Sequence, residues 1–351
     1  MKAMVLAAGE GTRLRPLTLA LPKPLVPVAG EPLLARTLRL LADQNVRDVA
    51  VNLFHRPQAI LDTIGDGRAL GLSNLHYSFE ETLLGTAGGV RQVGPAFLDE
   101  TFLVLYGDNL YHFDIGPLVA FHREKKALAT IATFEAANPS ACGLVITDEN
   151  GRVTRFQEKP PSADVFTNTA NAGVYVLEPA IFDRLPPDTG APLDWGKDVF
   201  PALLDKGIVF SRPLDGYLQD TGTPETYRQA NRDALEGRAG PAPRALRGKT
   251  LLGENTQIAQ DAAFDGWNVV GHNGIIASGA RLADTILWAG CRIGAGAQIT
   301  GAILGHNVVV GANAVIGTGA LLADDARVAP NALVPPGARI APNADYPPRD
   351  S

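Results

Sequence analysis

The residues best suited to chemistry lie near the N-terminus. The apolar run Ala3 to Ala8 ends in Gly9-Glu10-Gly11-Thr12-Arg13-Leu14-Arg15-Pro16. Glycines after a buried strand permit a tight turn whose backbone N–H groups converge on an anion. Neither common nucleotide motif is present, because a dinucleotide fingerprint needs Gly where Leu14 stands and a P-loop needs Gly-Lys-Ser/Thr after four residues. Taken alone, the turn is equally well explained as a structural one. Its surroundings favour phosphate. Residues 1–25 hold Lys2, Arg13, Arg15 and Lys23 against Glu10, a local balance of +3 in a chain of formal charge −6. Lys23 sits between Pro22 and Pro24, which stiffen the backbone on both sides. A rigidly held lysine beside a glycine turn suits a polyphosphate. Two aspartates stand at a strand end and before a turn. Asp108 follows the apolar run Thr101–Tyr106, and Asp220 precedes a Thr-Gly turn. Aspartate in such places is commonly a turn or cap residue. No Ser/His or Cys/His arrangement suggests a covalent nucleophile. Cys142 and Cys291 form no metal-ligand spacing and read as small buried residues of a reducing compartment.

These residues need elements to position them. Ala3–Ala8, Asp48–Leu53, Leu75–Phe79 and Thr101–Tyr106 read as strands. A helix begins at Pro32 with Leu34, Leu38 and Leu41 on one face, and further helices are expected at 57–64, 86–93, 117–126, 198–206 and 224–236. Strand–helix alternation predicts an α/β domain with a mostly parallel, three-layer sheet and right-handed crossovers, which binds ligands at the carboxyl ends of its strands.

Past residue 250 the pattern changes. Residues 251–351 contain no lysine, five arginines and eight acidic residues, and aromatics are scarce. Aliphatic or aromatic residues recur every six positions from Ile258 through Phe264, Val270 and Ile276 to Leu282. The phase slips by one to Leu287 and again between Ile299 and Leu304, then runs through Val310, Ile316, Leu322, Val328 and Val334 to Ile340. Such a period marks a parallel β-helix with three sides per coil, about five coils in all. The expected organisation is a domain over 1–236, a linker over 237–250 rich in Gly, Ala, Pro and Arg, and a β-helix over 251–345.

Six segments in order then carry a resemblance: LAAGEGTRLRPLTLALPKPLVPVAGEPLL (6–34), LGTAGG (84–89), GDN (107–109), FQEKP (156–160), NAGVY (171–175) and DTGTPETY (220–227). Together they resemble the sugar-1-phosphate nucleotidyltransferases, or nucleoside-diphosphate-sugar pyrophosphorylases. The resemblance covers roughly residues 1–235 and implies a Rossmann-like three-layer nucleotidyltransferase domain, followed here by a left-handed β-helix of hexapeptide repeats. It implies attack by a phosphate oxygen of a sugar (or sugar-like) 1-phosphate on the α-phosphorus of a nucleoside triphosphate, with pyrophosphate leaving. Positioning and charge stabilisation do that work.

The resemblance also implies roles. Arg13 and Lys23 act at the reacting phosphates, and Asp108 and Asp220 hold Mg2+. Leu6, Ala8, Gly9, Gly11, Thr12, Glu80, Gly85, Thr86 and Gly107 contact the nucleotide. Glu158, Lys159, Asn171 and Gly173 bind the sugar phosphate, with Lys197 of the Trp195–Asp198 segment as a secondary candidate. For Asn171 the polar end of a buried strand is the competing reading. Where the family usually has Trp two residues before the second aspartate, this chain has Leu218, after Tyr217.

A carboxylate, as at Glu80 or Glu81, can accept guanine's paired N1–H and N2–H donors, which favours GTP. The Glu80-Glu81 to LGTAG form also resembles mannose-1-phosphate guanylyltransferases. Thymidylyl- and uridylyltransferases with β-helices carry similar segments, so dTTP and UTP remain alternatives. An acyltransferase activity using His272 or His306 of the repeats, and a non-catalytic regulatory homologue, are further alternatives. The β-helix is expected to support a homo-oligomer.

Composition sets the outer bounds. With 351 residues, 46% hydrophobic and 19% charged, the chain suits about two folded domains and excludes a disordered or fibrous protein. The charge of −6 excludes a diffuse basic surface for nucleic acid or an anionic membrane. The apolar start is too short for a signal-peptide core or a membrane span, and a cytoplasmic protein is expected.

Overall fold

The N-terminal apolar run becomes the middle of a sheet. The computed structural model describes residues 1–347. By compactness the chain forms two units, Met1–Gly9 with Leu34–Leu218, and Glu10–Leu33 with the chain from Gln219 onward. This division differs from the one expected at residue 236, which follows the start of the repeats. The glycine-turn segment, residues 10–33, belongs with the C-terminal unit.

The first unit is built on nine strands: β1 (Lys2–Leu6), β2 (Asp48–Leu53), β3 (Asn74–Phe79), β4 (Phe102–Tyr106), β5 (Ala129–Glu135), β6 (Gly143–Thr147), β7 (Val153–Glu158), β8 (Thr169–Leu177) and β9 (Val209–Pro213). Their order is β7-β6-β8-β4-β1-β2-β3, with β5 pairing β8 and β9 pairing β5. In β1, Val5 sits between Val51 and Leu105, both in parallel register. These strands are buried on both faces, which is why they read as unbroken apolar runs. The other half departs from the expected parallel arrangement. β8 runs antiparallel to β4 and β5, and β6 and β7 are an antiparallel pair. For β6 and β7 the cause is local: Asp148 Oδ1 accepts from Asn150 N and Arg152 N at 2.9 Å each, and Gly151 takes φ +80°. So short a turn can join only antiparallel neighbours.

Helix α1 (Leu33–Asp43) buries Leu34, Leu38 and Leu41 completely. Helix α2 spans Pro57–Ile64, α3 Thr86–Val93 and α4 Gly116–Lys125. α3 packs against β1 and β3, and α4 against β5, β8 and β9. The helix expected at 198–206 is instead a π-turn over Trp195–Val199, a short α-helix over Phe200–Leu203 and a 3-10 turn. Asp194 Oδ1 fixes its start by accepting from Gly196 N at 2.9 Å and Lys197 N at 3.1 Å. Trp195, Phe200 and Tyr175 fill the core behind it, with Tyr175 and Phe200 ring centroids 5.0 Å apart.

In the second unit, helix α5 (Pro224–Leu235) starts at a capping box in which Thr223 accepts from Thr226 N at 3.2 Å. After it come three parallel sheets. One side of the coil stacks Leu252, Val270, Leu287, Leu304, Leu322 and Ile340 in successive register. The second stacks Ile258, Ile276, Ile293, Val310, Val328 and Tyr346. The third stacks Phe264, Leu282, Ile299, Ile316 and Val334. This is the left-handed β-helix, its rungs set by the six-residue period. Both slips fall at the corner between the third side and the first, where Leu282 leads to Leu287 and Ile299 to Leu304. Asparagines 255, 273, 307, 313, 331 and 343 take φ between +56° and +60° at the coil corners. Asparagine tolerates that left-handed conformation, so the residues between the rungs are chosen for turning.

Candidate active site

Within the C-terminal unit the structure brings three of the expected residues together. Asp220 Oδ1 lies 3.6 Å from Lys23 Nζ, and Oδ2 lies 3.8 Å from Arg13 Nη2. The Lys23 side chain is only 5% exposed, whereas that of Arg13 is 62% exposed. Gly11 adopts φ +64°, and a Cβ there would stand 2.7 Å from Lys23 Cβ. Glycine is therefore required for the turn to pass over the lysine. The Thr18 hydroxyl donates to the Gly11 carbonyl at 2.8 Å and holds the turn shut. Thr12 and Arg13 lie in the 3-10 turn that follows. Arg13 also crosses the face of Gly222, where any Cβ would collide with its guanidinium. A buried cation, an exposed cation and a carboxylate in this order can meet a polyphosphate with two positive charges, the buried one held in place.

The N-terminal unit holds the remaining candidates in separate groups. At the end of β1, Ala7 N donates to Asn52 Oδ1 at 2.8 Å, and Asn52 Nδ2 donates to Glu80 Oε1 at 2.7 Å. The other oxygen of Glu80 accepts from Leu84 N at 3.0 Å. Glu80 is buried and braces the loop that leads into α3. Each carboxylate oxygen thus spends one acceptor site on the protein and retains another. Leu6 accepts from Gly107 N at 2.8 Å, which ties the ends of β1 and β4 together beside Ala8 and Asp108. Space is open around Gly9, where a Cβ would meet no atom within 4 Å.

Gly85 takes φ +80° against the Leu193 carbonyl, which leaves no room for a Cβ. The Thr86 hydroxyl donates to Asp194 Oδ2 at 2.8 Å and accepts from Trp195 N at 3.0 Å. In the third group, Lys159 Nζ lies 3.4 Å from Glu158 Oε1, and Lys159 is well exposed. Asn171 Nδ2 donates to Tyr175 Oη at 2.8 Å, and its Oδ1 accepts from Gly173 N at 2.9 Å. Gly173 takes φ +67°, and a Cβ there would stand 2.9 Å from the Tyr106 ring. That ring alone requires glycine at 173. Burial pushes the phenols of Tyr106 and Tyr175 well above their ordinary range, so both remain neutral donors. Lys197 stands exposed on the π-turn, with its backbone N–H on Asp194.

Asn52, Asp194 and Tyr106 did not emerge from the motifs. For Asn52 the signal was available, as a polar residue inside the apolar strand DVAVNL. Asp194 also caps the turn that follows it, a local signal, but its bond to Thr86 and the approach of Tyr106 to Gly173 join segments distant in sequence and leave none. Cys291 is fully buried, and burial pushes its thiol up to about 12. Cys142, expected to be buried, is half-exposed beside a small apolar cluster. His272 Nδ1 accepts from Glu254 N at 3.0 Å, and His306 packs on Trp288 with ring centroids 5.0 Å apart. Both histidines thus have structural partners in the coils.

Among the described residues no group of three His, Cys, Asp or Glu side chains is placed to hold a metal alone. A magnesium site completed by phosphate oxygens needs only one or two carboxylates. The half-exposed carboxylate of Asp220 fits that donor set. No helix among the described residues is long and apolar enough to cross a membrane.

Comparison with known proteins agrees with this chemistry. Residues 2–237 match the family model described as nucleotidyl transferase, and residues 246–345 match a GMPPB C-terminal domain. A mannose-1-phosphate guanylyltransferase of Mycobacterium tuberculosis is 38% identical over 300 residues, 85% of this chain and 82% of that protein. A UTP–glucose-1-phosphate uridylyltransferase of Synechocystis is 33% identical over 335 residues, 85% of this chain and 86% of its own. A crystal structure of a Bacillus anthracis protein assigned as a glucose-1-phosphate thymidylyltransferase shares the fold, with TM-score 0.59 and 23% identity over 66% of this chain and 94% of that one. With its glycine turn, its lysine and arginine on one carboxylate and a hexapeptide β-helix behind them, the chain belongs to the nucleotidyl transferase family and is a sugar-1-phosphate nucleotidyltransferase.

Proposed function

We propose that this enzyme joins GTP to mannose 1-phosphate, releasing pyrophosphate and forming GDP-mannose. The observation that carries the reaction is the pairing of Lys23 and Arg13 on Asp220, at 3.6 Å and 3.8 Å, behind the Gly11 turn. The 38% identity to a mannose-1-phosphate guanylyltransferase over 85% of this chain supports the choice of substrates. A sugar-phosphate oxygen attacks the α-phosphorus while the bond from the α-phosphorus to the bridging oxygen breaks, and that oxygen leaves with pyrophosphate. Lys23 stabilises charge at the reacting phosphate, and Arg13 counters charge on the leaving pyrophosphate. The turn at Gly9, Gly11 and Thr12, with Leu6, Ala8 and Gly107, carries the triphosphate. Glu80, Gly85 and Thr86 serve the base, with the free acceptor sites of Glu80 directed to guanine's donors. Lys159 takes the phosphate of the sugar, assisted by Lys197, and Glu158, Asn171 and Gly173 take its hydroxyls.

Family membership implies a divalent metal, and we assign it as magnesium with Asp108 and Asp220 as its carboxylates. Bound there, the ion would neutralise phosphate charge. We further propose a catalytic domain over 1–236, a linker over 237–250 and a β-helix over 251–345, a cytoplasmic location, and self-association through the β-helix. Val309, Val315 and Leu333 lie exposed on its faces, Leu333 at 71%, and Val315 pairs directly with Leu333. Sedimentation of the full chain as a monomer would contradict that association. UTP is the second reading, favoured by the 33% identity to the uridylyltransferase. The four nucleoside triphosphates should be competed for mannose 1-phosphate and glucose 1-phosphate. We expect GTP to exceed UTP by at least about tenfold in kcat/KM, a difference near 1.4 kcal/mol. Preference for UTP with glucose 1-phosphate would replace this reading with the second.

A further inference from the structure

The β-helix holds the phosphate-binding segment from behind. Resting on the nucleotidyl-transfer reading, we propose that Arg339, Trp288 and Tyr227 are positioning residues that set Arg13 and Lys23 for the reaction. All of them lie in the unit formed by residues 10–33 and the chain from Gln219 onward.

One anchor lies near Arg13. Arg339 Nη1, on the coil strand Arg339–Ile340, donates to the Arg15 carbonyl at 2.5 Å. Arg15 closes the 3-10 turn that carries Arg13, with Leu14 N donating to Gly11 O and Arg15 N to Thr12 O at 3.2 Å each. Fixing the Arg15 carbonyl therefore fixes the turn. Arg13 itself is largely exposed, and among the described residues its ion pair is the long one to Asp220, so its direction is set through the backbone.

Two more anchors lie near Lys23. Trp288 Nε1, in the third coil, donates to Tyr227 Oη at 3.0 Å, and Tyr227 Oη donates in turn to the Pro27 carbonyl. Asn231, one turn along α5, accepts from Ala29 N at 2.9 Å and donates to the Tyr227 carbonyl at 3.0 Å. Tyr227 and Asn231 are fully buried, and Trp288 is 2% exposed. They grip the tight hairpin at Pro27–Pro32, where Ala29 and Gly30 both take positive φ. Val26 N donates to the Lys23 carbonyl at 3.0 Å, which transmits the hairpin's position to the lysine.

Arg339 is exposed on the coil surface, so Arg339→Ala should leave the fold intact. In the full chain this variant should lower kcat/KM for the triphosphate about tenfold, because small displacements of a charge-stabilising group are costly. KM for the sugar phosphate and the melting temperature should stay unchanged. Arg339→Lys should recover part of the loss, since an ammonium still donates to the Arg15 carbonyl. Because Arg339 acts through Arg13, Arg339→Ala should add little to Arg13→Ala. Trp288→Phe removes the indole donor together with part of a buried ring, so it is compared with Trp288→Phe/Lys23→Ala and with its own melting temperature. Its loss of turnover should show the same dependence on Lys23. Arg339→Ala within twofold of wild type, or a loss fully additive with Arg13→Ala, would overturn the proposal. Wild-type turnover tests the reaction itself. Should it be absent, the affinity of wild type and Arg339→Ala for magnesium-GTP still decides the positioning, a tenfold difference supporting it and equality refuting it.

Discussion

Asp220 sits between a buried lysine and an exposed arginine, and its charge rather than its shape matters there. Asp220→Asn keeps the side-chain volume and should lower pyrophosphate release by about 100-fold or more, the usual scale for removing a transition-state electrostatic group. A steady-state rate near wild type in that variant would remove Asp220 from the reaction. Gly11, Arg13 and Lys23 stood out in the sequence because glycine turns and local charge excess are local properties, whereas Asp220 stood out through the segment that carries the resemblance. The partners of Glu80, Thr86 and Gly173 were not. Asn52, Asp194 and Tyr106 reach them from other strands and turns, and hydrogen-bond geometry between distant segments leaves no local pattern. Gly173 was expected to bind the sugar phosphate, and the Tyr106 ring independently requires glycine there.

At the scale of elements, the six-residue period announced the β-helix with its slips, because each rung contributes one inward side chain and coil geometry tolerates little variation. Leu304, fully buried between Leu287 and Leu322, has no room to collapse around a cavity. Leu304→Ala should lower stability by about 3 kcal/mol, read as a shifted urea midpoint at constant slope. A shift below a third of that would mean the coil relaxes freely. The sheet of the N-terminal unit was half legible. Long apolar runs identify β1, β2 and β4, but the antiparallel half depends on the Asp148–Arg152 turn and on β8, whose sequence TANAGVYVL was read first as a binding motif. The expected helix at 198–206 missed the π-turn because Asp194, four residues before its expected start, sets where the turn begins.

For the whole molecule, the charge of −6 and the phosphate chemistry are compatible because the positive groups are few and fixed. Lys23 and Arg13 share Asp220, while Lys159 neighbours Glu158, so each cation stands beside a carboxylate instead of on a basic surface. The shortage of lysine and aromatic residues after residue 250 belongs to the coils, whose narrow interior takes aliphatic rungs and whose corners take Asn and Gly. Family membership establishes nucleotidyl transfer to a sugar 1-phosphate; the base and the sugar rest on the proposal. The most direct test follows the phosphorus by 31P NMR in a mixture of the full chain, magnesium, GTP and mannose 1-phosphate. Pyrophosphate and GDP-mannose should appear in equal amounts as both substrates disappear, and with Asp220→Asn both should form more slowly by about 100-fold or more. Release of inorganic phosphate, or pyrophosphate without a nucleotide sugar, would contradict the reaction proposed here.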